Sequence, residues 1–229
     1  MKLVAVAIII AVVVAAILLR RMNRAIDGRR QADLEARHTR LVELAASRGW
    51  SYQQYGAGVV PFAPDRVTVA KAAGENANDV LEGMCASWPF LACQYSYRVG
   101  TGESTSVHYR VALALQIAPA VPRLVVRPRI DEFFSQLLGS PITTGDGAFD
   151  RTFVVDADSP ELAVDVLSSS IRALMLQNPS DMWSFGGSTL VVSEQGGDVA
   201  EKIDDLMARA DAMLNEIPTP VWERLHADG

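Results

Sequence analysis

The chain has 229 residues, 49% hydrophobic and 21% charged, a globular composition that excludes a disordered chain. Its net charge of −6 hides a split. Residues 1–30 hold six basic and one acidic side chain (+5), and the remainder holds 15 and 26 (−11), which excludes the basic face that nucleic-acid binding needs.

Leu3 to Leu19 is a run of 17 residues drawn only from Leu, Val, Ala and Ile. As a helix it spans about 26 Å, close to the roughly 30 Å hydrocarbon core of a bilayer. A cleaved signal would have a shorter apolar core and a small-x-small site, whereas here the run ends in Leu18-Leu19-Arg20-Arg21. The run therefore predicts a transmembrane anchor, with the lipid bilayer as the partner of Leu3 to Leu19. Arg20, Arg21, Arg24, Arg29 and Arg30 follow, against Lys2 alone before it. Basic flanks stay in the cytoplasm, so the body of the protein is expected on the cytoplasmic face of the cell membrane. The expected domains are 1–24 for the anchor and basic flank, 25–49 for a juxtamembrane helix, and 50–229 for a soluble domain.

Residues 25–48 carry Leu34, Leu41, Leu44 and Ala45 at helical spacing, and Gly49 is the natural stop. Trp50 to Tyr55 reads as a strand, Gly56 to Pro64 as a loop, and Arg66 to Ala70 as a short strand. Three runs then show a period of two: Asp79–Ser87, Pro89–Val99 and Val107–Ile117. Leu91, Cys93, Tyr95, Tyr97 and Val99 share one face. Gln94, Ser96, Arg98, His108, Arg110 and Gln116 fall on the opposite, polar faces. Arg123 to Arg127 reads as a separate fourth strand, and Ile130 to Leu138 as a helix.

Gly139 to Asp150 reads as a loop and Thr152 to Asp156 as a strand. Asp158-Ser159-Pro160-Glu161 predicts a helix start, and that helix is expected to run to about Gln177. Met182–Phe185 and Ser188–Ser193 flank Gly186-Gly187, a two-residue hairpin turn. Asp198 caps a last helix with Val199, Ile203, Leu206, Met207, Ala210, Leu214 and Ile217 on one side, and Val221 to Leu225 packs back as a short turn. Strands cluster rather than alternate with helices, so the fold class is α+β with a largely antiparallel sheet packed by helices.

The sequence predicts no catalytic, cofactor-binding or metal-binding residue and no cofactor. His38, His108 and His226 are far apart, with no paired-ligand spacing. Gly145-Asp146-Gly147 with Asp150 lacks the alternating acids of a calcium loop and reads as a turn. Ser168-Ser169-Ser170 is expected in mid-helix with no nucleophile elbow around it. Asp79 with Glu82, and Asp156 with Asp158, are exposed acids in this reading. Cys85 and Cys93 read as small buried hydrophobes. The aromatic residues Trp50, Tyr52, Tyr55, Trp88, Phe90, Tyr95, Tyr97 and Tyr109 read first as core, and otherwise as the lining of a ligand cavity.

The anchor with Arg20-Arg21, Ala46-Ser47-Arg48-Gly49-Trp50-Ser51-Tyr52, Tyr95-Ser96-Tyr97, Arg123-Leu124-Val125-Val126-Arg127-Pro128 and Pro220-Val221-Trp222 together resemble a group of uncharacterised single-span membrane proteins of high-GC actinobacteria. Gln94 and Arg129 stand where that group carries Asp and Glu. The resemblance implies no activity. The functional expectation is a non-enzymatic, membrane-tethered domain binding a protein or small apolar ligand. The rival expectations are an enzyme built around His108 and a structural subunit of an envelope complex.

Overall fold

The computed structural model describes residues 20–22, 28–29, 31–56, 77–99, 106–129, 142–158 and 160–227. The expected anchor Leu3–Leu19, most of the Gly56–Pro64 loop, the Arg66–Ala70 strand and the Ile130–Leu138 helix lie outside them. No helix among the described residues is long and apolar enough to cross a membrane. The chain divides into two compact units, residues 1–43 and 44–229.

In the first unit the described residues are helical. Helix α1 (31–48) stops as expected at Gly49, whose φ of +68° glycine adopts without strain.

The second unit is α+β, as expected, with an antiparallel sheet of six strands in the order β1-β2-β3-β4-β5 and β6 paired to β4. The strands are β1 (Ser51–Tyr55), β2 (Asn78–Cys85), β3 (Trp88–Val99), β4 (Ser106–Pro128), β5 (Phe153–Ala157) and β6 (Met182–Gln195). The helices are α2 (Gly147–Thr152), α3 (Pro160–Val166), α4 (Ser169–Leu176), α5 (Val199–Glu216) and α6 (Thr219–Ala227).

Two expected breaks in the sheet are not breaks. Val107–Ile117 and Arg123–Arg127 belong to one strand, β4, which carries Pro119 and Pro122 inside it. Both prolines fall where its register with β6 shifts, between Gln116 and Val121 and between Val121 and Leu124, so no ladder bond needs their missing N–H. Gly186-Gly187 forms no hairpin turn either, because both halves of β6 pair with β4 and not with each other. Gly187 (φ +55°) takes up the bulge at the same level. β6 follows β4 through both halves. The opposite edge of β4 is taken by β3 along residues 106–115 and by β5 along 124–128.

The β4–β6 ribbon folds back at these bulges. Arg209 of α5 donates to Asp181, just before β6, and to Glu194 near its end, 13 positions later. A straight strand of 13 residues would hold those carboxylates about 43 Å apart. Arg110 confirms the fold-back: its Nη2 donates to the carbonyls of Ser180 (3.0 Å) and Ser193 (2.9 Å).

One face of the β3–β4–β6 sheet is covered by α5, which buries Val199, Ile203, Leu206, Ala210, Met213 and Leu214. By strand alternation that face carries Phe90 and Ala92, Val111, Leu113 and Leu115, and Leu190 and Val192, all buried. The other face carries a second apolar cluster of Cys93, Tyr95, Ala112, Ala114 and Val191, joined by Val80 and Ala77. Two residues expected on polar faces are not solvated: Gln94, on the α5 face beside Val111, and Arg110, on the other beside Tyr95, are both buried. Each is satisfied locally, Gln94 donating to the Gly197 carbonyl (2.8 Å) and Arg110 to Ser193 Oγ (3.1 Å).

The helices depart from the sequence reading in three places. Gly147–Thr152, expected as loop through Asp150, is a helix capped by Asp146, whose carboxylate accepts from the amides of Ala148 and Phe149. The helix expected from Pro160 to Gln177 is broken, because Ser168 caps a new one by accepting from Ile171 N, and so Ser168 is not in mid-helix. The tail beyond Pro218 is a helix and not a short turn. Asp198 caps α5 as expected. Met213 replaces Met207 in its buried stripe, Met207 being half-buried.

Candidate functional site

The face opposite α5 opens at one end into a cleft of about 510 Å³, within the range of small-molecule sites. The register places its lining residues side by side across four strands. Glu82 of β2 pairs with Leu91 of β3, Leu91 with Ala114 of β4, and Ala114 with Val191 of β6. Pro89, Gln116 and Thr189 lie one pleat further along, with Gly83, Phe90 and Ser188 completing the wall. Leu91 and Ala114 form an apolar floor continuous with the buried cluster. The rim is polar: Glu82, Gln116, Ser188 and Thr189. The cleft is open, so an apolar ligand body would be held on one side only.

On the reverse face the wall is braced by a stack. Trp50 packs on Gly83, where an added Cβ would come within 2.2 Å of its ring. Its ring meets Phe90 edge-on at 4.9 Å between centroids. Arg48 lies over Trp50 and makes a forked pair with Asp204 of α5. That hydrogen bond, before the charge attraction itself, holds the Asp204 carboxyl below its usual range.

Of the acids read as exposed, Glu82 is so, at the cleft rim, whereas Asp79 is buried, and Asp79, Asp156 and Asp158 make structural contacts. Asp79, in a β2 bulge with φ +54°, accepts from Tyr52 OH at 2.8 Å. Asp156 and Asp158 both face Arg123, at 2.6 and 3.9 Å. Asp150 accepts from the amides of Thr144 and Gly145 and from Thr144 Oγ1. The amide of Phe149, with that of Ala148 and Arg172, holds the Asp146 carboxyl below its usual range. Gly145 thus sits in a bend and Asp146 caps the helix that takes in Gly147 and Asp150, where the sequence reading expected a turn throughout. Among the described residues no group of His, Cys, Asp and Glu is arranged to hold a metal.

His108 is half-buried and pairs with Tyr97 across the β3–β4 ladder, far along the sheet from the cleft. Cys85 and Cys93 are free and buried, as read from the sequence. The aromatic residues do not line one cavity: Phe90 alone among them borders the cleft as described, and Tyr55 and Tyr109 are exposed. Sequence reasoning missed the cleft because its residues come from four strands and are unremarkable one at a time. Only the pairing register brings them together.

No family model matches the chain, and no curated protein matches it. Among solved structures it is similar to the crystal structure of the mycobacterial trehalose monomycolate transport factor A, TtfA, with 13% identity, a TM-score of 0.50, and coverage of 79% of this chain and 95% of that one. At that identity the likeness is one of fold. It agrees with the α+β class.

Proposed function

We propose that this chain is a membrane-tethered, non-enzymatic accessory protein whose body binds a protein or a small apolar ligand at the cytoplasmic face. The cleft carries the reading: an apolar floor of Leu91 and Ala114 under a polar rim, of ligand-pocket volume. The anchor Leu3–Leu19 and its arginine flank supply the tether and the orientation. The neighbour is named a transport factor. By analogy of fold alone, an accessory role beside a membrane machine fits better than catalysis.

The test uses the full chain in its own membrane. Proximity biotinylation and native lipid extraction are run on the wild type and on Leu91→Lys, which puts a charge on the cleft floor. A partner or lipid recovered with the wild type and lost with Leu91→Lys supports the reading. Capture of neither by the wild type, or equal capture by both, ends it. A C-terminal alkaline-phosphatase fusion that is active would overturn the cytoplasmic placement.

A further inference from the structure

The fold-back of the β4–β6 ribbon is held by a cluster of charges that is not fully satisfied. Asp181 has no exposed side-chain surface, and Arg209, which grips one of its oxygens, is only 13% exposed. The other oxygen, Oδ1, is buried with no hydrogen-bond partner among the described residues, and so is Nε1 of Trp183, two positions along the chain. The start of β6 thus carries two stranded buried polar atoms, and a region so constituted opens at lower cost.

Three charged groups face Asp181 from the elements packed around it, Arg209 on α5, Arg110 on β4 and Glu194 on β6, and Lys202 on α5 is paired to Glu194. Arg209 holds Glu194 at 2.6 Å. That bond does not depend on Asp181, so the guanidinium stays in place whichever form Asp181 takes.

We propose that the Arg209–Asp181 contact is a proton-operated latch on the folded-back ribbon, closed more firmly when Asp181 carries a proton and released more readily when it is ionised. An ionised carboxylate with one oxygen stranded in the interior loses hydration that a single guanidinium bond does not replace. Opening the start of β6 returns that oxygen to water. A proton on Asp181 removes most of this drive while Oδ2 still accepts from Arg209. Burial, its main cause, pushes the Asp181 carboxyl up to about 6 against the attraction of Arg209, so the latch responds in the neutral to mildly acidic range.

The experiment is amide hydrogen exchange over residues 182–195 of the full chain, corrected for intrinsic rates, between about pH 5 and pH 7.5. The opening constant of the wild type should rise about tenfold across that range, because the open form binds the proton less well. Asp181→Asn should exchange slowly at both ends and show no rise, and Glu194→Gln should keep the rise. A flat wild-type profile overturns the latch, as does a rise that survives in Asp181→Asn. Should Asp181→Asn fail to fold, the wild-type profile together with Glu194→Gln decides, since a rise lost in Glu194→Gln would move the titration to the wrong carboxylate.

Discussion

The guanidinium of Arg48 lies 4.8 Å from the centre of the Trp50 ring, and Trp50 in turn occupies the space that a side chain at position 83 would need. Gly83→Ala puts a methyl group within 2.2 Å of the indole. The ring is held between Arg48 and Phe90 and has no easy retreat. Urea unfolding should show a loss of about 1–3 kcal/mol, the usual cost of overpacking. In a Trp50→Ala background the same substitution should cost much less. Equal costs in both backgrounds would mean that the indole does not determine the glycine.

Removing Arg209 leaves Asp181 buried and without its charged partner. Arg209→Met should cost about 3–5 kcal/mol at neutral pH, in line with half-broken buried pairs. Asp181→Asn alone should cost far less, and in its background Arg209→Met should cost markedly less than in the wild type. Additive losses would refute the coupling.

The pH dependence has a definite sign. Asp181 has a folded pKa of about 6, above the ordinary carboxylate value. Its contribution favours the folded state most at acidic pH and declines as pH rises through about 6. Asp146 and Asp204, held low, act the other way and lose their contributions on acidification. The difference between wild type and Asp181→Asn in unfolding free energy, measured from pH 4 to 7.5, isolates the Asp181 term and should fall with rising pH.

Gly187 sits at φ +55° in the β6 bulge, with no atom of the described residues within 4 Å of where a Cβ would stand. The cost of a side chain there is conformational and not steric. Gly187→Ala should destabilise by about 1 kcal/mol, and Gly187→Asn by less, since Asn enters the left-handed region more readily. Thermal unfolding of the two variants checks the order.

How much of this was legible in the sequence follows from the range over which each signal acts. Alternation in residues 79–117 gave the strands, and Asp198 with Gly49 gave the ends of two helices, because these are local effects of pleat, cap and backbone freedom. Taken one at a time, the prolines of β4 and the paired glycines of β6 signal local breaks. They are partners in one bend, and each makes sense only opposite the other. Ser168 looked like an interior helix residue because its capping role depends on where the chain must turn. Arg110 and Gln94 were assigned to water because of their type. The fold instead supplies them with Ser180, Ser193 and Gly197 carbonyls, all three 70 or more positions away. The cleft was invisible for the same reason.

The two thiols should be inert in the folded protein. Burial pushes Cys93 up to about 12, and burial also raises Cys85. Cys85 pairs with Trp88, five positions from Cys93 along β3. That is about 17 Å, beyond the reach of a disulfide. An aromatic disulfide reagent should label neither at neutral pH until denaturant is added, and then both.

Arg110 of β4 meets Gln195 of β6, a residue made 85 positions later in synthesis. A nascent chain halted before residue 182 would already carry the 23-residue β4, with β3 and β5 available to one side and nothing yet made for the other. Until the ribosome delivers the last fifth of the polypeptide, that bare row of amides and carbonyls is a template for other chains. Truncation near the C-terminus should therefore cause aggregation, even where it removes none of the cleft-forming segments of β2, β3 and β4.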